Sequence, residues 1–369
     1  MIRVGIDATA LLGPRTGVGQ FVSEVVSELA GDSAMDISLF ALTWRGRQGL
    51  LAVAPPGTSV LRRPLPARPL RWLWSHGLRR PAVEDWCGPL DVVHGPNFVV
   101  PPARAAAAVV TVHDLTPVRF PELCNRDTLA YPALVRRAFD AGAWIHTPTE
   151  QVAAEVHDWL GPSERVVAIP NGVRARPGSA ALGRLLAGGD RYVLALGTVE
   201  PRKDLPTLVR AFDHLAAELA DVRLVVAGPD GWGAEAFSAA IAAAQHRDRI
   251  VRLGWVEDAQ RAGLLAGASV FAYPSRYEGF GLPPLEAMSA GVAVVTSDAP
   301  ALVEVTADAA LHVPIGDHVA LAAALAGVLT DDACRRGLVT AGSERVNHFA
   351  WSATATRLAE LYRRAADAR

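Results

Sequence analysis

The sequence predicts an α/β protein made of two similar units, each a parallel sheet covered by helices. Three observations lead there. Short apolar runs alternate with amphipathic stretches from end to end, the pattern of buried strands joined by covering helices. Residues 174–190, rich in Ala, Gly, Arg and Pro, interrupt that alternation and divide it in two. The 369 residues are also enough for two domains of ordinary size.

Before the break, residues 4–6, 37–42, 92–94, 109–113, 144–147 and 166–169 read as strands. After it, strands are expected at 192–197, 224–228, 250–254, 270–273 and 292–296. The expected organisation is a first domain over 1–173, a linker over 174–190 and a second domain over 191–349. Residues 350–369 carry apolar and aromatic residues, Trp351 and Tyr362 among them, at helical spacing, with Ser352 available as a cap. Both aromatics read as packing residues.

Composition narrows the function classes. The formal charge of −2 gives no basis for nucleic-acid binding through bulk electrostatics. Apolar runs stop well short of a membrane span, and Met1-Ile-Arg-Val-Gly-Ile-Asp7 reads as a first strand, not a secretory signal, so a soluble, cytoplasmic protein is expected. Cys87, Cys124 and Cys334 are few, odd in number and far apart, which suits inert thiols in a reducing compartment. Lys203 is the single lysine among 36 Lys and Arg residues. A lysine is a compact point charge suited to a phosphate oxygen in a tight site, and this one lies between an apolar strand and a helix, where α/β proteins hold ligands.

The most informative segment is Tyr273-Pro-Ser-Arg-Tyr-Glu278-Gly-Phe-Gly-Leu-Pro-Pro-Leu-Glu286-Ala-Met-Ser-Ala-Gly291. It reads as a strand, a glycine-rich turn and a helix opening at Pro283 or Pro284, whose free N–H groups would attract an anion. Gly279 and Gly281 allow close backbone approach, and Glu278 and Glu286 can accept hydrogen bonds from hydroxyls. Taken singly, each favours a plainer reading, Glu286 as a first-turn acid facing the helix dipole and Glu278 as a solvated loop charge.

The whole segment resembles the Glu-x7-Glu signature of the retaining family 4 glycosyltransferases, and Glu200-Pro-Arg-Lys203 resembles the wording of mannosyltransferase-like members that use GDP-mannose. That resemblance implies the GT-B fold, two Rossmann-like domains facing across a cleft with the C-terminal helix crossing back to the first. It implies that Glu286 holds the ribose of a sugar nucleotide, while Glu278 and the amides of Gly279, Phe280, Gly281 and Leu282 hold the transferred sugar. It places the diphosphate between this turn and a basic pair, filled here by Arg202 and Lys203. Many relatives also carry an Arg directly after the strand-ending glycine, where this chain has Thr198. The alternative is a basic pair that decorates a loop. Gly228, Gly254 and Val256 would border the base pocket. No Asp-x-Asp pair and no metal-ligand spacing occurs, so a metal-independent reaction with no cofactor is expected, the leaving diphosphate being stabilised by Arg202, Lys203 and helix N–H groups.

In the first half, Gly17 and Gly19 resemble a family turn facing acceptor or phosphate, or are loop glycines needed for unusual φ angles. As a dinucleotide fingerprint they are poor. The segment from Val109 to Glu122 resembles one in which the strand-ending histidine lies beside the transferred sugar; this assigns His113, with Asp114, to sugar or acceptor contact. His94 and Asn97 hold a similar strand-end position, His94 being equally a satisfied buried histidine.

Residues 62–80 mix six arginines with Trp72 and Trp74. A solvated helix with both tryptophans anchored in the domain is favoured over peripheral contact with the inner face of a membrane, because prolines break up its first half. The function expected is hexose transfer from a nucleotide sugar, GDP-mannose first and UDP-sugars as the alternative, to a hydroxyl of a glycan, lipid-linked glycan or small metabolite. A pyridoxal-phosphate phosphorylase using Lys203, or a non-catalytic sugar-nucleotide scaffold, are the readings from other classes.

Overall fold

A computed structural model describes residues 1–13, 17–44, 48–61, 63–125 and 128–368. The chain divides into two compact units, Met1–Gly172 with Trp351–Arg369, and Val173–Ala350. The first holds strands β1 (Ile2–Asp7), β2 (Met35–Phe40), β3 (Ser59–Val60), β4 (Val92–Gly95), β5 (Ala107–Thr111), β6 (Trp144–Thr147) and β7 (Val166–Ala168). They pair in the order β3-β2-β1-β4-β5-β6-β7. The second holds β8 (Arg191–Leu196), β9 (Val222–Ala227), β10 (Ile250–Gly254), β11 (Val270–Tyr273), β12 (Val294–Ser297) and β13 (Leu311–Val313), in the order β10-β9-β8-β11-β12-β13. Every pairing is parallel.

Both sheets reverse direction of growth beside their first strand, between β1 and β4 and between β8 and β11. The helices after β1 and β4, or after β8 and β11, therefore leave toward opposite faces, and the loops between them part. In the second unit this sets the loop after β8, with Arg202 and Lys203, beside the loop after β11, with Glu278.

Strand periodicity sorts the apolar side chains of the second unit. Val193, Ala195, Leu224 and Val226 join one core layer with Leu208 and Phe212. Tyr192, Leu194, Leu196, Val225 and Ala227 face the other, with Leu285, Met288 and Leu302. Two covered faces explain why these strands read as continuous apolar runs.

Residues 174–190, expected from composition to link two domains, contain a helix, Ala180–Ala187. The Ser179 hydroxyl accepts from the Leu182 amide at its start, and Gly188, in the left-handed region, ends it. Its glycine serves contact and not flexibility: a Cβ on Gly183 would lie 2.0 Å from the Gly263 carbonyl oxygen of the neighbouring helix Asp258–Gly267.

The C-terminal helix, Trp351–Asp367, belongs to the first unit, burying Trp351, Ala355, Leu358, Ala359 and Tyr362 along one stripe. A directed chain of hydrogen bonds ties it to the sheet. The Ile169 carbonyl can only accept, so His146 Nε2 donates to it at 2.9 Å, and His146 Nδ1 accepts from the Thr111 hydroxyl at 2.9 Å. Thr111 must then accept from His94 Nε2 at 2.8 Å, leaving His94 Nδ1 to accept from the Tyr362 hydroxyl at 2.7 Å. Burial pushes both imidazoles down, His146 to about 3, so both stay neutral. His94 is thus a satisfied core histidine.

In the segment 62–80, Arg62 lies outside the described residues, and 67–75 form a helix. Trp74 is buried, as expected, but Trp72 is 60% exposed, its ring tilted against His76 at 4.4 Å. One turn carries both, and only one of two residues spaced by two can face the core of a helix. Among the described residues no helix is long and apolar enough to cross a membrane.

Candidate active site

In the second unit, Glu278 is the centre of a buried charge cluster. Its Oε1 accepts from Lys203 Nζ at 2.5 Å and its Oε2 pairs with Arg202 at 2.7 Å. The Arg202 Nε also donates to Glu200 at 2.8 Å. Two carboxylates and two cations leave the cluster electroneutral. Lys203 donates further to the Tyr273 hydroxyl, and its ammonium lies 4.6 Å from the centre of that ring.

Electrostatics follow from this geometry. Burial alone would raise the Glu278 carboxyl, but Arg202 and Lys203 outweigh it and hold it at about 2. Burial and the Arg202 guanidinium push the Lys203 ammonium down, against the pull of Glu278. Burial, then the charge on Glu278, drive the Tyr273 phenol well up, so it remains a neutral hydroxyl.

After Glu278 the chain turns through Gly279 and Phe280 to Gly281, whose φ of +103° requires glycine. Phe280 is buried, edge-on to Phe349 at 5.7 Å. The helix begins at Leu282, one residue before the expected prolines, and runs to Ser289. Pro283 and Pro284 therefore remove two of the N–H groups that an anion would meet at this end. What remains is the turn itself: among the described residues the amides of Phe280, Gly281 and Leu282 donate to no protein acceptor. Phe280 and Gly281 are buried, and buried amides without an acceptor call for a ligand or ordered water.

Glu286, in the second turn of that helix, is buried and ion-paired with Arg261. Gly228 and Gly254 end β9 and β10, and their backbones meet, the Gly228 amide donating to the Gly254 carbonyl at 2.7 Å. A Cβ on Gly228 would stand 1.9 Å from the Gly197 carbonyl oxygen, so this glycine is demanded by packing at the strand ends. Val256 packs at the edge of the core while its neighbour Trp255 is half exposed. Thr198 lines the same small void as Lys203 and Tyr273.

In the first unit, His113 donates from Nε2 to the Pro96 carbonyl at 2.8 Å, which leaves Nδ1 as an acceptor. Burial lowers its basicity, so the ring is neutral. Asp114 is occupied locally, accepting from the Thr116 amide at 2.8 Å. Asn97 follows β4 at the point where the sheet reverses. Gly17 and Gly19 are not in a loop: they open the helix Gly17–Leu29, and Gly19 has no positive φ. Gly19 is small because Ala10 passes it, a Cβ there lying 2.9 Å from the Ala10 carbonyl oxygen.

Three partners were not signalled by the sequence. Arg261, Tyr273 and Glu200 carry no motif of their own, though Tyr273 and Glu200 flank recognised residues closely enough to have been weighed.

Comparison with known proteins agrees with this architecture. The family model Glycosyltransferase Family 4 matches residues 15–176, and Glycosyl transferases group 1 matches residues 184–345. The O-antigen chain mannosyltransferase B of Escherichia coli is 32% identical over 282 residues, 74% of each chain. The chain is a family 4, group 1 glycosyltransferase. This glycosyltransferase is also 39% identical over 203 residues to the phosphatidyl-myo-inositol mannosyltransferase of Mycolicibacterium smegmatis, a match spanning about half of each chain, 53% and 51%. Sucrose-phosphate synthase from Thermosynechococcus elongatus shares the fold, with a TM-score of 0.78 over 100% of both chains at 20% identity. The glycosyltransferase thus has the GT-B fold.

Proposed function

We propose that the enzyme moves a hexose, with mannose from GDP-mannose the first candidate, to a hydroxyl of a glycan, lipid-linked glycan or small metabolite. The proposal includes retention of anomeric configuration and a reaction without metal. The observation that carries it is the row of free amides at Phe280, Gly281 and Leu282, next to a carboxylate that two cations already grip. Three N–H donors with Arg202 and Lys203 form a site for a diphosphate whose charge grows as the sugar departs. Names of the relatives, mannosyltransferases in both cases, favour mannose.

In this reading the diphosphate takes up hydrogen bonds from the amides and shares Lys203 and Arg202 with Glu278. Released in part from its ion pairs, Glu278 accepts from a sugar hydroxyl, and Glu286 from the ribose. Departure and attack occur on one face, the leaving phosphate accepting the proton of the acceptor hydroxyl. His113, neutral and with Nδ1 free to accept, orients a hydroxyl of sugar or acceptor and does not act as a strong base.

Thermal stabilisation by GDP, UDP and ADP, with and without EDTA, tests the donor reading. A nucleotide at about 100 times its dissociation constant adds roughly 2.7 kcal/mol. GDP-selective stabilisation that survives EDTA supports GDP-mannose; a UDP-selective response redirects the donor to glucose or N-acetylglucosamine nucleotides. No response to any of them contradicts the site.

A further inference from the structure

We infer that Arg261 is a positioning residue that fixes the Glu286 carboxylate so that Oε1, the oxygen turned away from the guanidinium, is the one presented to the ribose of the donor. The inference rests on the donor reading above. Glu286 is 6% exposed, and the Arg261 guanidinium pairs with its Oε2. Among the described residues the side chain of Glu286 has no other partner. A carboxylate this deeply buried is tolerated in its charged form when a cation compensates it, and a planar guanidinium sets its orientation as well.

Arg261 is itself held in place. It sits in the first turns of the helix Asp258–Gly267, which is locked at its start by a reciprocal capping box between Glu257 and Gln260. The neighbouring helix Ala180–Ala187 packs closely on the same element through Gly183 and Gly263. Both ends of the ion pair therefore stand on fixed backbone, and the carboxylate has little freedom to rotate. A carboxylate with both oxygens open can face a vicinal diol with one oxygen to each hydroxyl; with Oε2 turned to Arg261, Oε1 is the oxygen left to face the diol, and the nearer hydroxyl takes the stronger bond.

This gives a signature that a purely structural salt bridge would not. Binding of GDP, UDP and their 2′-deoxy and 3′-deoxy forms is measured by titration calorimetry on the wild-type protein and on Arg261→Met and Arg261→Lys. The expected wild-type pattern is a loss of about tenfold for one deoxy form and less than threefold for the other. Arg261→Met weakens the parent nucleotide about tenfold and abolishes the contrast between the deoxy forms, while Arg261→Lys restores part of both. The Lys variant also guards against a Met variant that fails to fold. Unchanged affinity and contrast in Arg261→Met, or equal losses for both deoxy forms in the wild type, would overturn the inference while leaving the donor site intact. Failure of the wild type to bind either GDP or UDP would overturn the donor reading and this inference with it.

Discussion

Lys203 and Glu278 lie 2.5 Å apart in the interior of the second unit, brought together from loops that follow neighbouring strands β8 and β11. Seventy-five positions separate them in sequence. Their pairing neutralises the cations proposed to receive a diphosphate, so on that proposal donor binding is an exchange of anions.

Removing that resident anion separates the two roles. Glu278→Gln is expected to lower stability by about 3 kcal/mol, because Lys203 and Arg202 lose a buried counter-charge. Pyrophosphate should then raise the melting temperature of the variant more than that of the wild type, while sugar transfer falls at least about a hundredfold. Melting curves with and without pyrophosphate, beside an activity assay, check this. Equal shifts in both proteins would show that Glu278 and phosphate do not share cations.

The backbone crossing at Gly228 predicts a purely steric effect. Gly228→Ala must displace the Gly197 carbonyl and hold a side chain at φ of +151°, and is expected to destabilise by at least about 2 kcal/mol. Chemical denaturation reads this directly.

The chain from Ile169 to Tyr362 predicts acid sensitivity. His146 has an ordinary value of 6.5 and about 3 in the folded protein. Its folded value is depressed, so its contribution is fully present above 6.5 and is lost progressively as pH falls toward 3. By pH 5 the loss is about 2 kcal/mol from this residue, with His94 adding in the same direction. Unfolding free energies measured between pH 7.5 and 5 should show that decline, shallower in His146→Gln.

Tyr362→Phe leaves His94 Nδ1 without its donor. It should lower stability by about 1–3 kcal/mol with no change in nucleotide binding, since Tyr362 acts within the first unit. Calorimetric unfolding and a nucleotide titration on one preparation test both halves.

How much of this was legible in the sequence depended on range. The two parallel sheets were, because apolar runs such as 192–196 and 224–228 are local signals. The strands Ser59–Val60 and Leu311–Val313 were not, being too short for a period. The helix Ala180–Ala187 was hidden by composition: Gly183 reads as a breaker until its neighbour, Gly263, is known to touch it. Glu278, Glu286, Arg202 and Lys203 stood out through spacing and resemblance, yet that Glu278 binds both cations is a tertiary fact. Arg261 had no local signal at all, since its meaning lies in Glu286, twenty-five residues away.

The central claim is that Lys203 and the turn 280–282 hold a diphosphate. It is tested most directly by comparing, in one calorimetric series, the affinities of GDP and GMP, and of UDP and UMP, for the wild type and Lys203→Met. The account predicts that the β-phosphate strengthens binding of at least one nucleotide about tenfold or more in the wild type, and that Lys203→Met loses most of that gain. Equal affinity for diphosphate and monophosphate in the wild type, or a gain untouched by the variant, would contradict it.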